Sequence, residues 1–245
     1  MFEFLETPCL PKRKVSHVLI AANFYDELRE EFEKLGIKAV PAPFSKSLPD
    51  PIMFHPDMNC RHLGGNRFAV FKDSENLEPL SALGAELVYA DSPLHPSYPY
   101  DAALNFLPLG NKLICNTKTA DSKLIESFRK KEIIEVKQGY TSCSIAPLDH
   151  EIIITGDEGL SKVLTKNGFK VICARSENIV LKGYNNGFIG GASGLISPKT
   201  ICFTGKAEGI VDLDLIYALG FDIVSLKNRA MEDIGGVVPI MQVSK

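Results

Sequence analysis

The chain has 245 residues, of which 45% are hydrophobic and 23% charged, a composition that indicates a folded globular protein and excludes a disordered one. The formal net charge of -3 argues against nucleic acid or an anionic membrane as a partner. No stretch reaches the about 18 consecutive apolar residues that a membrane helix needs, and the acidic start at residues 1–6 is unlike a signal peptide. We therefore expect a cytoplasmic protein that binds a small molecule, and the composition leaves open whether the chain forms a homo-oligomer.

The six cysteines are scattered without a Cys-x-x-Cys pair, so neither a disulfide framework nor a zinc site is predicted. Cys115, Cys173 and Cys202 lie in apolar runs and are predicted to be buried, whereas Cys60 and Cys143 are predicted to lie on loops. No spacing of His, Asp and Glu suggests a metal site, and no phosphate-binding loop is complete. No metal and no cofactor are predicted.

The first predicted elements are a strand at 15–21, a helix at 25–35 that Gly36 ends, and a short strand at 37–40. A proline-rich loop then leads to a hairpin whose second strand is predicted at 67–71. The order is helix, short strand, loop and hairpin.

The same order recurs four more times along the chain. In these four repeats, helices are predicted at 76–83, 121–130, 159–166 and 211–219. Short strands are predicted at 85–89, 132–136, 169–173 and 221–225. The glycines that end helices recur at a regular period, which is typical of a propeller or solenoid.

No linker or change of composition marks a boundary, so one domain over 1–245 is predicted. Its approximate units are 15–71, 72–116, 117–155, 156–204 and 205–245. The last unit lacks a final strand of its own, and the strand at 15–21 is free to supply it and close a ring. The predicted fold is α/β, a five-unit α/β propeller around a central pocket.

Three short motifs accompany this pattern: Gly64-Gly65-Asn66, Gly190-Gly191 and Asp233-Ile234-Gly235-Gly236. With them, the five units resemble the pentein, or α/β-propeller, superfamily of guanidino-group-modifying enzymes. The resemblance implies that loops of all five units line one pocket. It also implies a cysteine in the last unit that attacks the guanidinium carbon, a histidine in the third unit that assists, and carboxylates that hold the cation.

The chain departs from this pattern at both catalytic positions. Val238 or Pro239 stands where the cysteine of the last unit is expected, and no cysteine follows Cys202. The stretch 139–142 replaces the histidine of the third unit. The usual mechanism of the superfamily therefore does not transfer to this chain.

Cys143 is the predicted nucleophile, because it lies among small polar residues on a loop that is expected to face the pocket. Attack on a guanidinium or amidine carbon needs a thiolate, a proton carrier and carboxylates that hold the cation. The alternative is an inert, buried cysteine at the start of a hairpin strand.

The segment His55-Pro56-Asp57 is predicted to present an acid–base group and a carboxylate from a loop that proline makes rigid. His55 is the predicted proton carrier, and Asp57 the predicted ligand of a cationic substrate. The alternative is a turn in which Asp57 accepts backbone hydrogen bonds.

Further contacts to the substrate are predicted from five residues: Asn59, Asn105, Tyr140, Asn186 and Asp233. Two functions stay open. One is a hydrolase or transferase that acts on a C–N bond of a guanidino- or amidine-like small molecule. The other is a non-catalytic pentein that binds a metabolite or a macromolecular partner.

Overall fold

The computed structural model describes residues 1–245 and contains 16 β-strands and six short α-helices. The strands are β1 (Phe2–Phe4), β2 (Val15–Ile20), β3 (Lys38–Pro41), β4 (Cys60–Gly64), β5 (Arg67–Val70), β6 (Glu86–Tyr89), β7 (Leu107–Leu109), β8 (Lys112–Cys115), β9 (Glu132–Glu135), β10 (Ile145–Pro147), β11 (Ile152–Thr155), β12 (Lys170–Cys173), β13 (Ser193–Ser197), β14 (Thr200–Phe203), β15 (Asp222–Ser225) and β16 (Val238–Val243). The α-helices are α1 (Tyr25–Lys34), α2 (Pro56–Asn59), α3 (Glu78–Ser81), α4 (Ser122–Glu126), α5 (Glu158–Lys166) and α6 (Leu213–Ala218). Short 3-10 helices cover Ala22–Phe24, Asp50–Ile52, Ser176–Asn178 and Gly190–Ala192. None of the helices is long and apolar enough to cross a membrane.

The strands form five separate small sheets. Four of them share one topology, in which a hairpin of two antiparallel strands is extended by a third strand that runs parallel to the second. These sheets are β4-β5-β6, β7-β8-β9, β10-β11-β12 and β13-β14-β15. Each sheet therefore combines the hairpin of one sequence segment with the short strand of the next. The predicted α/β fold of five repeated units is confirmed.

The fifth sheet is built from both ends of the chain. β16 pairs antiparallel with β2, β2 pairs parallel with β3, and β1 lies on the other side of β16. Pro239, which has no N–H to donate, lies opposite Val18 next to a shift of register, where an internal strand tolerates proline best. The N-terminal strand β2 thus lies in the same sheet as the last strand of the chain.

The helices begin in the same way in three units. Asp121, Asp157 and Asp212 each occupy the N-cap, and each carboxylate accepts a hydrogen bond from the backbone N–H three residues later. Such a cap satisfies one of the free donors of the first turn. Glycines with positive φ follow two of these helices, Gly168 after α5 (φ 86°) and Gly220 after α6 (φ 79°), because glycine ends a helix without the steric cost of a Cβ.

Two cysteines differ from their sequence predictions because of where their strands lie in the sheets. Cys173 was predicted to be buried, but it is exposed at the end of the edge strand β12. Cys60 was predicted to lie on a surface loop, but it is buried in β4, and burial raises its pKa to about 12. Cys60 is therefore a packing residue with no reactive thiolate.

Candidate active site

A pocket of about 360 Å³ opens where the segments that precede β4, β10, β13 and β16 meet. Its lining consists of Ile52, His55, Met58, Tyr140, Cys143, Leu181, Tyr184, Asn185, Asn186, Phe188 and Asp233. Five of the eight predicted site residues are among them. The other three, Asp57, Asn59 and Asn105, are buried next to the wall.

His55 lies close to two carboxylates. It precedes the helical turn α2, in which Pro56 occupies the first helical position, a place where the missing N–H of proline costs nothing. Nδ1 of His55 lies 3.6 Å from Oδ1 of Asp233 and 4.0 Å from Oδ1 of Asp57. All three side chains are buried, so the imidazole and both carboxylates share one desolvated site.

Asp233 is held by backbone donors. Its Oδ2 accepts from the N–H of Phe188 at 2.8 Å and its Oδ1 from the N–H of Gly235 at 3.0 Å. Burial raises its pKa to about 6 against the opposing effect of His55, and the neighbouring charge of Asp57 adds to the increase. Asp233 is therefore a carboxylate whose charge is costly without a nearby cation.

The carboxylate of Asp57 is a buried hydrogen-bond acceptor. Both carboxylate oxygens are buried and neither has a hydrogen-bond partner. Its backbone is firmly held, because its N–H donates to the carbonyl of Gly235 at 3.1 Å and its carbonyl accepts from Asn105 at 3.2 Å. No backbone or side-chain N–H group of the protein donates to this carboxylate, so it keeps acceptor capacity beside His55 and Cys143.

Cys143 lies on the loop before β10 and its side chain lines the pocket. Burial raises the pKa of its thiol well above the usual value, and the charges of Asp57 and Asp233 raise it further. One contact acts in the opposite direction, since Nδ2 of Asn105 donates to Sγ at 2.9 Å. The thiol is therefore protonated at neutral pH when the pocket holds no cation.

Asn105 acts behind the wall, where it fixes the loop that carries Cys143. Its Oδ1 accepts from the N–H of Ser142 (2.9 Å), the hydroxyl of Ser142 (2.9 Å) and the N–H of Cys143 (3.2 Å). Asn59 has a similar role for His55, because its Nδ2 donates to the carbonyl of His55 at 2.9 Å. Both asparagines hold backbone in place, and neither lines the pocket.

Arg61 is a buried residue that the sequence did not single out. Its Nε donates to the carbonyl of Leu104 at 2.9 Å, and its Nη2 donates to the carbonyl of Asp57 and to the hydroxyl of Ser142. No carboxylate lies within ion-pair distance of it. Arg61 thus joins the segments that carry Asp57 and Cys143, and it adds a positive charge behind the carboxylates.

Tyr140 and Asn186 lie nearer the mouth of the pocket. The hydroxyl of Tyr140 donates to Oδ2 of Asp101 at 2.7 Å, and Asn186 donates only to the neighbouring carbonyl of Gly187. Asp101 also escaped prediction, because the Asp-Ala-Ala sequence around it carries no local signal of function.

The sequence profile of a family of unknown function, DUF6873, matches residues 19–238. The chain belongs to DUF6873. A comparison of this DUF6873 member with curated proteins finds no match.

Among solved structures, this DUF6873 chain is similar to the inosamine-phosphate amidinotransferase StrB1 from Streptomyces griseus, with 12% identity and a TM-score of 0.56 over 95% of this chain and 94% of that one. It is similar to a dimethylarginine dimethylaminohydrolase, with 9% identity and a TM-score of 0.55 over 86% and 92% of the two chains. It is also similar to agmatine deiminase from C. jejuni, with 12% identity and a TM-score of 0.51 over 98% and 96%. These likenesses show that the DUF6873 member has the pentein fold, as its sequence motifs implied.

The DUF6873 chain contributes no thiol from its last unit. β16 begins with Val238 and Pro239 and is occupied by pairing with β2. The cysteine that lines the pocket is Cys143, before β10, and the histidine is His55, before β4.

Proposed function

We propose that the protein binds a guanidino- or amidine-like cation in the pocket and cleaves one of its C–N bonds, as a hydrolase or transferase, with Cys143 as the nucleophile. The observation that carries this proposal is the convergence of a thiol, an imidazole and the carboxylate of Asp233 on one pocket, with the carboxylate of Asp57 buried beside the imidazole. We place this activity in the cytoplasm, since all six cysteines are free.

The charge of the pocket supports a cationic ligand. Asp57 and Asp233 both lie within 4.0 Å of Nδ1 of a single imidazole, and no Lys or Arg lines the pocket. An amidinium or guanidinium group is flat and carries several N–H donors, so it matches a carboxylate that has no partner. The ligand would offset the cost of keeping both carboxylates charged away from water.

The similar structures support the kind of reaction. They are an amidinotransferase, a dimethylarginine dimethylaminohydrolase and an agmatine deiminase, whose names refer to amidino or guanidino compounds. A common fold does not by itself imply a common activity, so the proposal depends on the residues in the pocket.

The first half of the reaction begins with the arrival of the cation, which offsets the two carboxylates and lowers the pKa of Cys143. The thiol proton passes to Asp57 as Sγ bonds to the amidine carbon, and the C=N electron pair moves to nitrogen. His55 then protonates the departing amine as the C–N bond breaks. The product is an amidino group bonded to Sγ of Cys143.

In the second half, water or an acceptor amine attacks the same carbon and gives a proton to His55, which replaces the one lost to the departing amine. The C–S bond breaks as the sulfur takes back the proton held by Asp57, which restores the thiol; when water attacks, the second proton of the water passes to solvent as the C=O bond forms. Attack by water gives hydrolysis, and attack by an amine gives amidino transfer.

Chloroacetamidine tests this proposal, because it carries an amidinium next to a carbon that alkylates thiols. Chloroacetamide is its neutral control. We expect the amidine to label Cys143 at least about tenfold faster than the amide, and the variants Asp57→Asn and Asp233→Asn to remove most of that preference. Cys173 is exposed and serves as an internal control that shows the intrinsic reactivity of the two reagents.

The proposal would be contradicted if the ratio of the labelling rates with chloroacetamidine and chloroacetamide were the same at Cys143 as at Cys173. Catalysis has its own measurement, the mass of an amidino adduct on Cys143 after incubation with guanidino compounds. Cys143→Ser should accumulate none.

A pocket that binds without catalysis is the second candidate, and the protonated, buried thiol of Cys143 favours it. In that case guanidino compounds bind equally well to the wild type and to Cys143→Ser, and they are recovered unchanged. Faster labelling by the amidine together with the absence of an adduct from any guanidino compound would support this second function.

A further inference from the structure

Asp101 is a buried carboxylate that is hydrogen-bonded to Tyr140, a residue of the pocket lining, and it is separate from the pair around His55. Only 3% of it is exposed. Its Oδ2 accepts from the hydroxyl of Tyr140 at 2.7 Å, while its Oδ1 is buried without a partner. No Lys or Arg forms an ion pair with it, although burial of an unpaired carboxylate is costly.

Aromatic side chains lie next to Tyr140, the hydrogen-bond partner of Asp101. Tyr140, Tyr184 and Phe188 line the pocket, and the ring of Tyr140 lies 5.4 Å from that of Tyr98 and 6.1 Å from that of Phe188. Tyr98 and Tyr184 are about half exposed, so their rings are accessible from solvent. An electron-rich ring face attracts an ammonium group.

Tyr140 connects this region with the reactive end of the pocket. Burial, followed by the hydrogen bond to Asp101 and by the charges of Asp101 and Cys143, raises the pKa of its hydroxyl. Burial and the charge of Asp101 also raise the pKa of Tyr184. The negative charge of Asp101 is therefore felt by two tyrosines that line the pocket, and one of them also lies close to Cys143.

We propose that Asp101, acting through Tyr140 and together with the ring of Tyr184, forms a second cation subsite, which selects a ligand with an ammonium group at the end remote from its amidine or guanidine. This subsite rests on the proposed function, because it specifies the ligand of the same pocket. A carboxylate at the remote end would be repelled by the nearby charge of Asp101 and would find no Lys or Arg in the lining to bind it.

Three guanidines of similar length test the subsite: butylguanidine, 4-aminobutylguanidine and 5-guanidinopentanoate. Their affinities for the wild-type protein are measured by isothermal titration calorimetry at low ionic strength. We expect 4-aminobutylguanidine to bind about tenfold more tightly than butylguanidine, and 5-guanidinopentanoate to bind most weakly.

Asp101→Asn should reduce the preference for the ammonium compound to less than about twofold, while the affinity for butylguanidine is retained. Tyr184→Leu changes a half-exposed side chain and serves as a second variant if Asp101→Asn fails to fold; it too should weaken the preference. Asp91→Asn is the matched control, since Asp91 is an exposed carboxylate on the same loop that pairs with Lys123. It should leave all three affinities unchanged.

Equal affinities for the three compounds in the wild type would overturn the subsite and leave the proposed function intact. An ammonium preference that persists in both Asp101→Asn and Tyr184→Leu would also overturn it. If none of the three guanidines binds, the proposed function fails and the subsite fails with it.

Discussion

Asn105 holds Cys143 at both its sulfur and its backbone. Nδ2 donates to Sγ over 2.9 Å, and Oδ1 accepts from the N–H of the same cysteine over 3.2 Å. The donor at the sulfur lowers the pKa of the thiol against the larger effect of burial. One side chain thus sets both the position of the candidate nucleophile and part of its acidity.

Asn105→Ala should lower the free energy of unfolding by about 2–4 kcal/mol, because it leaves buried donors of Ser142 and Cys143 without an acceptor. It should also slow the labelling of Cys143 by chloroacetamidine, since the thiol loses the donor that favours its charged form. Urea denaturation measures the first effect and mass spectrometry the second.

The control for this variant is Asn116→Ala. Asn116 is buried outside the pocket and donates to the carbonyl of Lys137 at 2.9 Å. Asn116→Ala should lower the free energy of unfolding by about 1–2 kcal/mol and leave the labelling rate of Cys143 unchanged. An unchanged labelling rate in Asn105→Ala would show that the contact to sulfur has no influence on reactivity.

Gly191→Ala should disturb the pocket although it replaces no polar side chain. A Cβ at this position would clash with Oδ1 of Asp233, so the carboxylate must shift from its place beside His55. We expect a loss of stability of about 1–3 kcal/mol and loss of the amidine preference in labelling. Gly159→Ala lies on α5, outside the pocket, where the nearest atom to the new Cβ is Oδ1 of Asp157 at 3.1 Å, and it should retain that preference.

Asp233 should make the protein less stable as the pH rises. Its pKa is about 6 in the folded chain against a usual 3.8, so the folded state binds the proton more tightly. The resulting stabilisation is complete below pH 3.8 and is lost as the pH passes through about 6. Urea midpoints between pH 4 and 7 should show this decline in the wild type relative to Asp233→Asn; parallel curves would contradict the shift.

His62 should make the protein less stable as the pH falls through the same range. It is buried and stacked on Phe68 at 4.5 Å, and burial lowers its pKa from 6.5 to about 4. The contribution of the neutral imidazole to the free energy of unfolding is complete above pH 6.5. It falls by about 3 kcal/mol as the pH drops to about 4, because the unfolded chain binds the proton first.

His62→Phe retains the stacked ring and should lack this acid-dependent loss. His150→Gln changes an exposed histidine and should follow the wild-type curve. If His62→Phe and the wild type lose equal stability between pH 6.5 and 4, the buried histidine does not control the acid response.

The repeated units could be predicted because their signals are local. Gly36, Gly84, Gly168 and Gly220 all have positive φ after a helix, and such glycines are visible in a sequence before any packing is known. The pairing of β2 with β16 was also within reach, because the last unit lacked a strand and the N-terminal strand lacked a partner.

The details of the site depended on packing that no local pattern encodes. Tyr140 was selected as polar, but its partner Asp101 comes from another unit, and only the meeting of two loops places them in contact. Cys173 looked buried because its strand is apolar; its exposure follows from the position of β12 at a sheet edge. Asn105 was expected to touch substrate, whereas its partners are Ser142 and Cys143, on the loop of the next unit.

The pairing of β2 with β16 joins segments from opposite ends of the chain, and such distant pairing forms slowly in folding. The pocket lies beside this junction, where the N–H of Asp57 donates to the carbonyl of Gly235. Some ligands need both His55 and Asp233. During refolding, the protein should therefore regain the ability to bind them in the slowest kinetic phase. A ligand of the pocket would bind only molecules in which the N-terminal and C-terminal strands are paired. It would therefore stabilise that pairing.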